Sequence, residues 1–183
     1  HDIAGLIRRV VVLPLEALHA VTLWILHAWA LAAFDISPLL AITSPTKRCG
    51  KTTLLEIVGM LTPRSIAASN ITAASLFRAI EQFGPTLSLD EADTFLGEND
   101  ELRGVLNSGH RRSTAFVIRT VGEEHEARMF STWCAKVIAA IGKLQGTIED
   151  RSILVSMRRR APGESVERFR TAICAAAAAP LKQ

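Results

Sequence analysis

An α/β fold with a mainly parallel sheet is predicted by three observations in this 183-residue sequence. An apolar run, Leu39 to Thr43, leads into a turn carrying Gly50-Lys51-Thr52 and then into residues at helical spacing. A further strand-like segment, Thr86 to Leu89, ends on two acids, Asp90 and Glu91. Strand-like and helix-like segments alternate through the middle of the chain, the pattern of a parallel sheet flanked by helices.

The elements follow in order. Residues 5–34 read as helices broken at Pro14, which is tolerated in a first helical turn because its missing N–H would be unpaired there. After the strand at 39–43, Leu54, Leu55, Val58 and Leu61 give a helix over 52–61 that Pro63 stops. Residues 65–69 read as a strand. Residues 72–82 read as a helix capped by Asn70 or Thr72. The strand at 86–89 precedes a helix at 98–107. Residues 114–120 and 128–133, with Gly122 and three glutamates between them, read as a β-hairpin. Buried strands are expected at 136–141 and 152–157, and a closing helix at 165–179. The organisation is an N-terminal helical segment (1–38), a nucleotide-binding core (39–163) and a C-terminal helix (164–183).

Composition narrows the class. Hydrophobic residues make up 49% and charged residues 21%, which excludes a disordered chain. A net charge of +3 permits a nucleic-acid partner without requiring one. The three cysteines, Cys49, Cys134 and Cys174, are odd in number and lack zinc-site spacing, which points to a reducing cytoplasm. Residues 15–34 are apolar enough for a membrane test, but Glu16, His19 and His27 recur near one face. The expectation is a buried or partner-facing helix and no membrane.

The turn after the first strand carries the chemistry. A full phosphate loop reads Gly, four residues, then Gly-Lys-Ser/Thr. Here Pro45 replaces the first glycine, and Thr46, Lys47, Arg48, Cys49, Gly50, Lys51, Thr52 and Thr53 complete the stretch. Backbone N–H groups at a helix start attract phosphate, and Gly50 lets the backbone come close. Lys51 would reach the β- and γ-oxygens of ATP, and the Thr52 hydroxyl would bind Mg²⁺. A helix start without a ligand could use the same residues; the strand before it and the amphipathic helix after it favour the phosphate site. Asp90 is the expected metal acid, and Glu91 the group that orients or deprotonates water. A helix, a strand and a second helix separate Lys51 from Asp90. That order, with a glutamate after the aspartate, is typical of ATPases that hydrolyse with their own glutamate. Asp93 would serve as a supporting group or cap the next turn.

The loop and residues 54–55 resemble a family of bacterial and phage ATPase domains, domain of unknown function 3631, found in primase–helicase-like proteins of prophages and mobile elements. The resemblance continues through residues 68–72, 89–95, 106–112, 130–133 and 147–153, and it covers most of 5–163. That family's loop also begins with proline. Gln145-Gly146 departs from its usual proline–acid pair. More distantly, the layout resembles AAA+ and superfamily 3 helicase ATPases. Those enzymes place a polar sensor after the strand that here ends Ala140-Ile141-Gly142-Lys143; with no asparagine or threonine there, Lys143 is the remaining candidate. They also supply an arginine to a neighbour's ATP, a place taken here by Arg151. The resemblance therefore implies self-association into a ring. An intramolecular ion pair is the alternative for Arg151.

Three basic clusters offer sites for DNA: His110-Arg111-Arg112, Arg119 with Arg128, and Arg158-Arg159-Arg160. Solvated surface is the alternative for each. Glu123, Glu124 and Glu126 make the hairpin tip a poor phosphate contact. Aromatics are only 5% of the chain, which argues against base stacking. The function expected is the ATP-hydrolysing motor part of a mobile-element replication protein. The alternatives are an ATP-dependent loader or assembly switch and, third, a small-molecule kinase, against which Glu91 argues. One helix after Arg160 is less than a full C-terminal lid, so the chain is expected to be a fragment or a compact member.

Overall fold

The computed structural model describes all residues except 1, 70, 98, 124, 145 and 183, and the side chain of Phe95 is also left undescribed. Five strands form one parallel sheet: β1 (Leu39–Ser44), β2 (Ser65–Ala68), β3 (Thr86–Leu89), β6 (Lys136–Ile141) and β7 (Ser152–Ser156). Their spatial order is β2-β3-β6-β1-β7, so β6 lies between the strand that precedes the loop at 45–50 and the strand that leads into Asp90. β4 (Phe116–Val121) and β5 (Glu126–Ser131) form the separate antiparallel hairpin. The fold is therefore α/β, with a parallel central sheet flanked by helices and an antiparallel hairpin.

Both faces of the sheet are covered, as its strand sequences require. Successive side chains of a strand alternate between faces. Leu40, Ile42, Val137 and Ala139 join one apolar core; Leu39, Ala41, Ile138 and Ala140 join the other. The first core is closed by α1 (Ile3–Val10), α2 (Leu15–Trp29), α3 (Lys51–Leu61) and α8 (Thr171–Ala178). The second is closed by α4 (Ala73–Phe83), α5 (Ala92–Leu96), α6 (Asp100–Ser108) and the short α7 (Gly146–Glu149). Side chains such as Trp24 and Phe77, each 1% exposed, contribute about 1.5–3 kcal/mol apiece by burial.

Pro14 stands just before α2 as its N-cap. Leu18, Val21, Trp24, Ile25 and Ala28 of α2 face the core, while Leu23, Leu26 and Trp29 stay exposed. Among the described residues, no helix is long and apolar enough to cross a membrane. Thr72 caps α4, its hydroxyl accepting the Ser75 N–H at 3.2 Å; Asn70, the other cap expected, lies outside the described residues. Glu98, the expected start of the next helix, also lies outside them; α6 begins at Asp100, with Asn99 accepting the Leu102 N–H at 2.9 Å.

The C-terminal expectation is corrected. Residues 165–170 form no helix, and the helix begins only at Thr171. The reason is a contact with α1: the Glu167 N–H donates to the Arg9 carbonyl at 2.7 Å, and its carboxylate takes two bonds from the Arg9 guanidinium. Glu167 is thus held to α1 through both its backbone and its side chain, four residues before the helix starts.

Candidate functional site

The strands of a parallel sheet all end on the same side, and the loop 45–53 and the Asp90–Glu91 pair gather there. β1 delivers the loop 45–50, and α3 starts at Lys51. Pro45, Thr46, Lys47 and Arg48 are exposed, whereas Cys49 and Lys51 turn inward. Gly50 has φ 87° and Arg48 φ 65°. Glycine is needed at position 50 for that left-handed conformation, since an added Cβ would meet only Met157 at an ordinary 3.5 Å. The Lys51 ammonium donates to the Ser44 hydroxyl at 2.5 Å, and that hydroxyl donates to the Thr46 carbonyl at 2.6 Å. Ser44 thus ties the lysine to the base of the loop, a role the motif did not reveal. Burial pushes the Cys49 thiol up, but hydrogen bonds with Thr46 and Ser44 and the Lys51 charge outweigh it and leave the thiol below its usual pKa.

The acidic pair meets the loop directly. The Thr52 hydroxyl donates to Asp90 Oδ2 at 3.1 Å, and the Glu91 N–H donates to Asp90 Oδ1 at 2.8 Å. Glu91 is exposed, caps α5 and adopts φ 53°. A non-glycine residue in that region costs about 1–2 kcal/mol, and such strain concentrates at functional sites. Its carbonyl accepts both the N–H and the hydroxyl of Thr94, at 2.9 and 2.7 Å, which fixes the turn. Asp93 accepts the Ile141 N–H at 2.8 Å and so links α5 to the end of β6. Lys47, Arg48, Lys51, Thr52, Asp90 and Glu91 line one cavity of about 220 Å³.

The donor set suits magnesium. Thr52 and Asp90 are hard oxygens 3.1 Å apart, and Mg²⁺ is held by one or two protein oxygens together with substrate phosphates. Among the described residues, no group of three or more His, Cys, Asp or Glu forms a cage for a metal ion. On the other side of the loop lies a cavity of about 440 Å³, bounded by Val10, Val12, Gly50, Thr53, Arg160 and Phe169. Residues 166–169 help line this second compartment, and no local pattern in the sequence shows it.

Arg151 lies far from this cluster. It precedes β7 at the level of Leu39, where β1 begins, and the loop leaves β1 after Ser44. Five residues of strand put it roughly 16 Å from its own loop. Among the described residues it makes no ion pair; its guanidinium donates to the Thr147 carbonyl at 2.9 Å. Lys143 is exposed beyond β6.

Much of the basic character in the sequence is engaged internally. Arg119 and Arg128 are cross-strand neighbours in the hairpin. Arg119 pairs with Glu101 at 2.9 Å and Arg128 with Glu81 at 3.7 Å. Arg158 makes two bonds to Glu164, and those bonds hold the Glu164 carboxyl at about 2. In the His110-Arg111-Arg112 cluster, the His110 carbonyl accepts the Ser37 N–H, Arg111 bridges to Ile36, and Arg112 donates to the Ala32 carbonyl at 2.8 Å. His110 turns inward, and its Nδ1 is buried without a partner among the described residues. The structure does not bring this cluster to the phosphate loop.

No family model matches the chain, and no curated protein matches it. Two solved structures share a distant likeness in fold. The X-ray structure of JCV helicase has a TM-score of 0.46 and 15% identity, covering 87% of this chain and 44% of that one. The structure of an inhibitor bound to JCV helicase has a TM-score of 0.43 and 15% identity, covering 87% and 45%. The chain thus spans less than half the length of those helicase chains.

Proposed function

We propose that this chain is an ATP-binding and ATP-hydrolysing P-loop domain. The observation that carries the reading is the 3.1 Å hydrogen bond from Thr52 to Asp90, which joins the loop to an acid from a strand two positions away across the sheet. The loop amides at 48–51 and the start of α3 bind phosphate, and Lys51 neutralises the oxygens farthest from the base. Thr52 and Asp90 would hold Mg²⁺, which would supply positive charge beside the reacting phosphoryl group. Glu91 accepts a proton from the attacking water. The base and ribose occupy the cavity between Val12, Thr53 and Phe169.

The wider reading is a motor domain of a phage or mobile-element DNA replication protein, a member of the domain of unknown function 3631 family. Its support is the set of sequence blocks together with the position of Arg151, which suits a neighbour's site better than its own. In a ring, Arg151 would stabilise the charge developing on the next subunit's ATP.

Phosphate release from ATP tests the core proposal. Lys51→Ala is expected to reduce hydrolysis at least about 100-fold. Glu91→Gln should cut it by about 10²–10⁴ while leaving nucleotide binding intact. Hydrolysis that survives both substitutions would remove the site assignment. Unwinding of a forked duplex would select the motor over a loader, and phosphate transfer to a metabolite would select a kinase.

A further inference from the structure

A second groove lies at the opposite pole of the sheet, where the parallel strands begin. It is a cleft of about 470 Å³ between Trp29 at the end of α2, Arg64 before β2, Pro85 before β3, and Arg112 and Trp133 at the root of the hairpin. Two of the chain's three tryptophans meet there from positions 104 residues apart in sequence (133 − 29). The low aromatic content concealed this pairing, because the sequence shows no local aromatic run.

The groove is built to hold its shape. The Trp29 indole N–H donates to the Leu61 carbonyl at 2.8 Å, yet the residue remains 45% exposed. Arg64 Nε donates to the Gly84 carbonyl at 2.8 Å, and Arg112 Nη1 donates to the Ala32 carbonyl at 2.8 Å. Each guanidinium has five N–H donors, so most face outward from an already fixed side chain. Neither arginine forms an ion pair among the described residues, in contrast to Arg119, Arg128 and Arg158. Among the described residues, no carboxylate lines the groove. Arg64 also sits at φ 45°, a conformation that favours glycine or asparagine. A large cation retained at that position is strain kept in place by the surrounding fold.

We propose that this groove binds single-stranded nucleic acid, with bases against Trp29 and Trp133 and phosphates on Arg64 and Arg112. Aromatic faces stack bases of any sequence, and fixed guanidiniums bind phosphate oxygens. The charge of the lining selects a polyanion over an apolar helix. The site keeps Arg112 from the sequence-level DNA candidates and leaves out His110 and Arg111. It is independent of the ATP site, which lies at the other ends of the strands.

The test is a fluorescence titration of the intact chain with an oligothymidylate, without nucleotide. Trp24 is 1% exposed and its indole donates to Pro38, so a ligand-induced change reports Trp29 and Trp133. Salt-dependent quenching is expected. The Arg64→Ala, Arg112→Ala pair should weaken binding at least tenfold and make the slope of log K against log salt shallower by about 1.4, two phosphates at about 0.7 each. Arg64→Lys with Arg112→Lys controls for folding and should keep most of the slope. DNA binding followed by anisotropy without tryptophan quenching would overturn the proposal. So would equal affinity in the alanine pair, or no binding at all. Loss of self-association in the alanine pair, with DNA binding intact, would assign the groove to a second copy of the chain instead.

Discussion

At the carboxyl ends of the strands, the phosphate loop and the acidic pair each occupy a few consecutive residues. At the amino ends, the tryptophan groove draws on positions 29, 64, 112 and 133, from four separate segments. The electrostatics of the two poles differ as well. Helices α3 and α5 begin at the carboxyl pole, presenting N–H groups that favour anions. Helices α4 and α6 end at the amino pole, and its carbonyls collect cations: Gly84 takes Arg64, Gly109 takes the buried Lys136, and Thr147 takes Arg151. One pole thus presents backbone N–H groups, whereas at the other backbone carbonyls hold arginine side chains.

The largest expected effect separates the two poles. Asp90→Ala should lower Mg²⁺-dependent hydrolysis by about 100-fold or more and leave oligonucleotide binding unchanged. If DNA binding fell with it, the poles would not be independent. Arg151→Ala should also lower hydrolysis, but through a neighbour. Mixing it with Lys51→Ala should restore some activity, because intact loops would then meet intact arginines. Activity proportional to protein concentration over a wide range, with no rescue on mixing, would remove the inter-subunit role.

Gly50→Ala comes next. It forces a side chain into φ 87° and should destabilise the fold by about 1–2 kcal/mol in urea unfolding. An unchanged midpoint would show that the loop relaxes freely. A smaller effect is expected from pH. Burial holds the imidazoles of His27 and His110 below their usual value of 6.5. The unfolded chain therefore takes up protons that the folded chain refuses, and stability should fall as pH drops through about 6.5. His27→Gln should flatten that dependence, as read by thermal melts at pH 7 and pH 5. The smallest concerns Glu164, held at about 2 against an ordinary 4.5 by its bonds to Arg158. Its contribution is complete above about pH 4.5, disappears toward pH 2, and should shrink in salt because the pair is exposed.

The difference between the poles also explains what the sequence could tell. Strands 86–89 and 136–141 are legible to the residue, because their leucines, valines and isoleucines fall between turn signals and leave few alternatives. The loop and Asp90 are legible because their chemistry is local. The helix expected at 165–179 starts late, at Thr171, and Glu167 before it is bound to Arg9, a partner 158 residues away that no local pattern reveals. Helix α5 escapes notice because its five residues are too short for a periodic signal. The groove is invisible for the same reason as the Glu167–Arg9 contact: its parts become neighbours only when the sheet forms.

One small contact has a consequence for mutagenesis. Strand β6 ends without a polar side chain, yet it communicates with the acidic turn through the Ile141 N–H and Asp93. The donor belongs to the main chain, so any residue other than proline at position 141 would preserve it. The partnership depends on a side chain at one end only: substitutions at 141 should be silent for this link, and loss of the acceptor at 93 should break it.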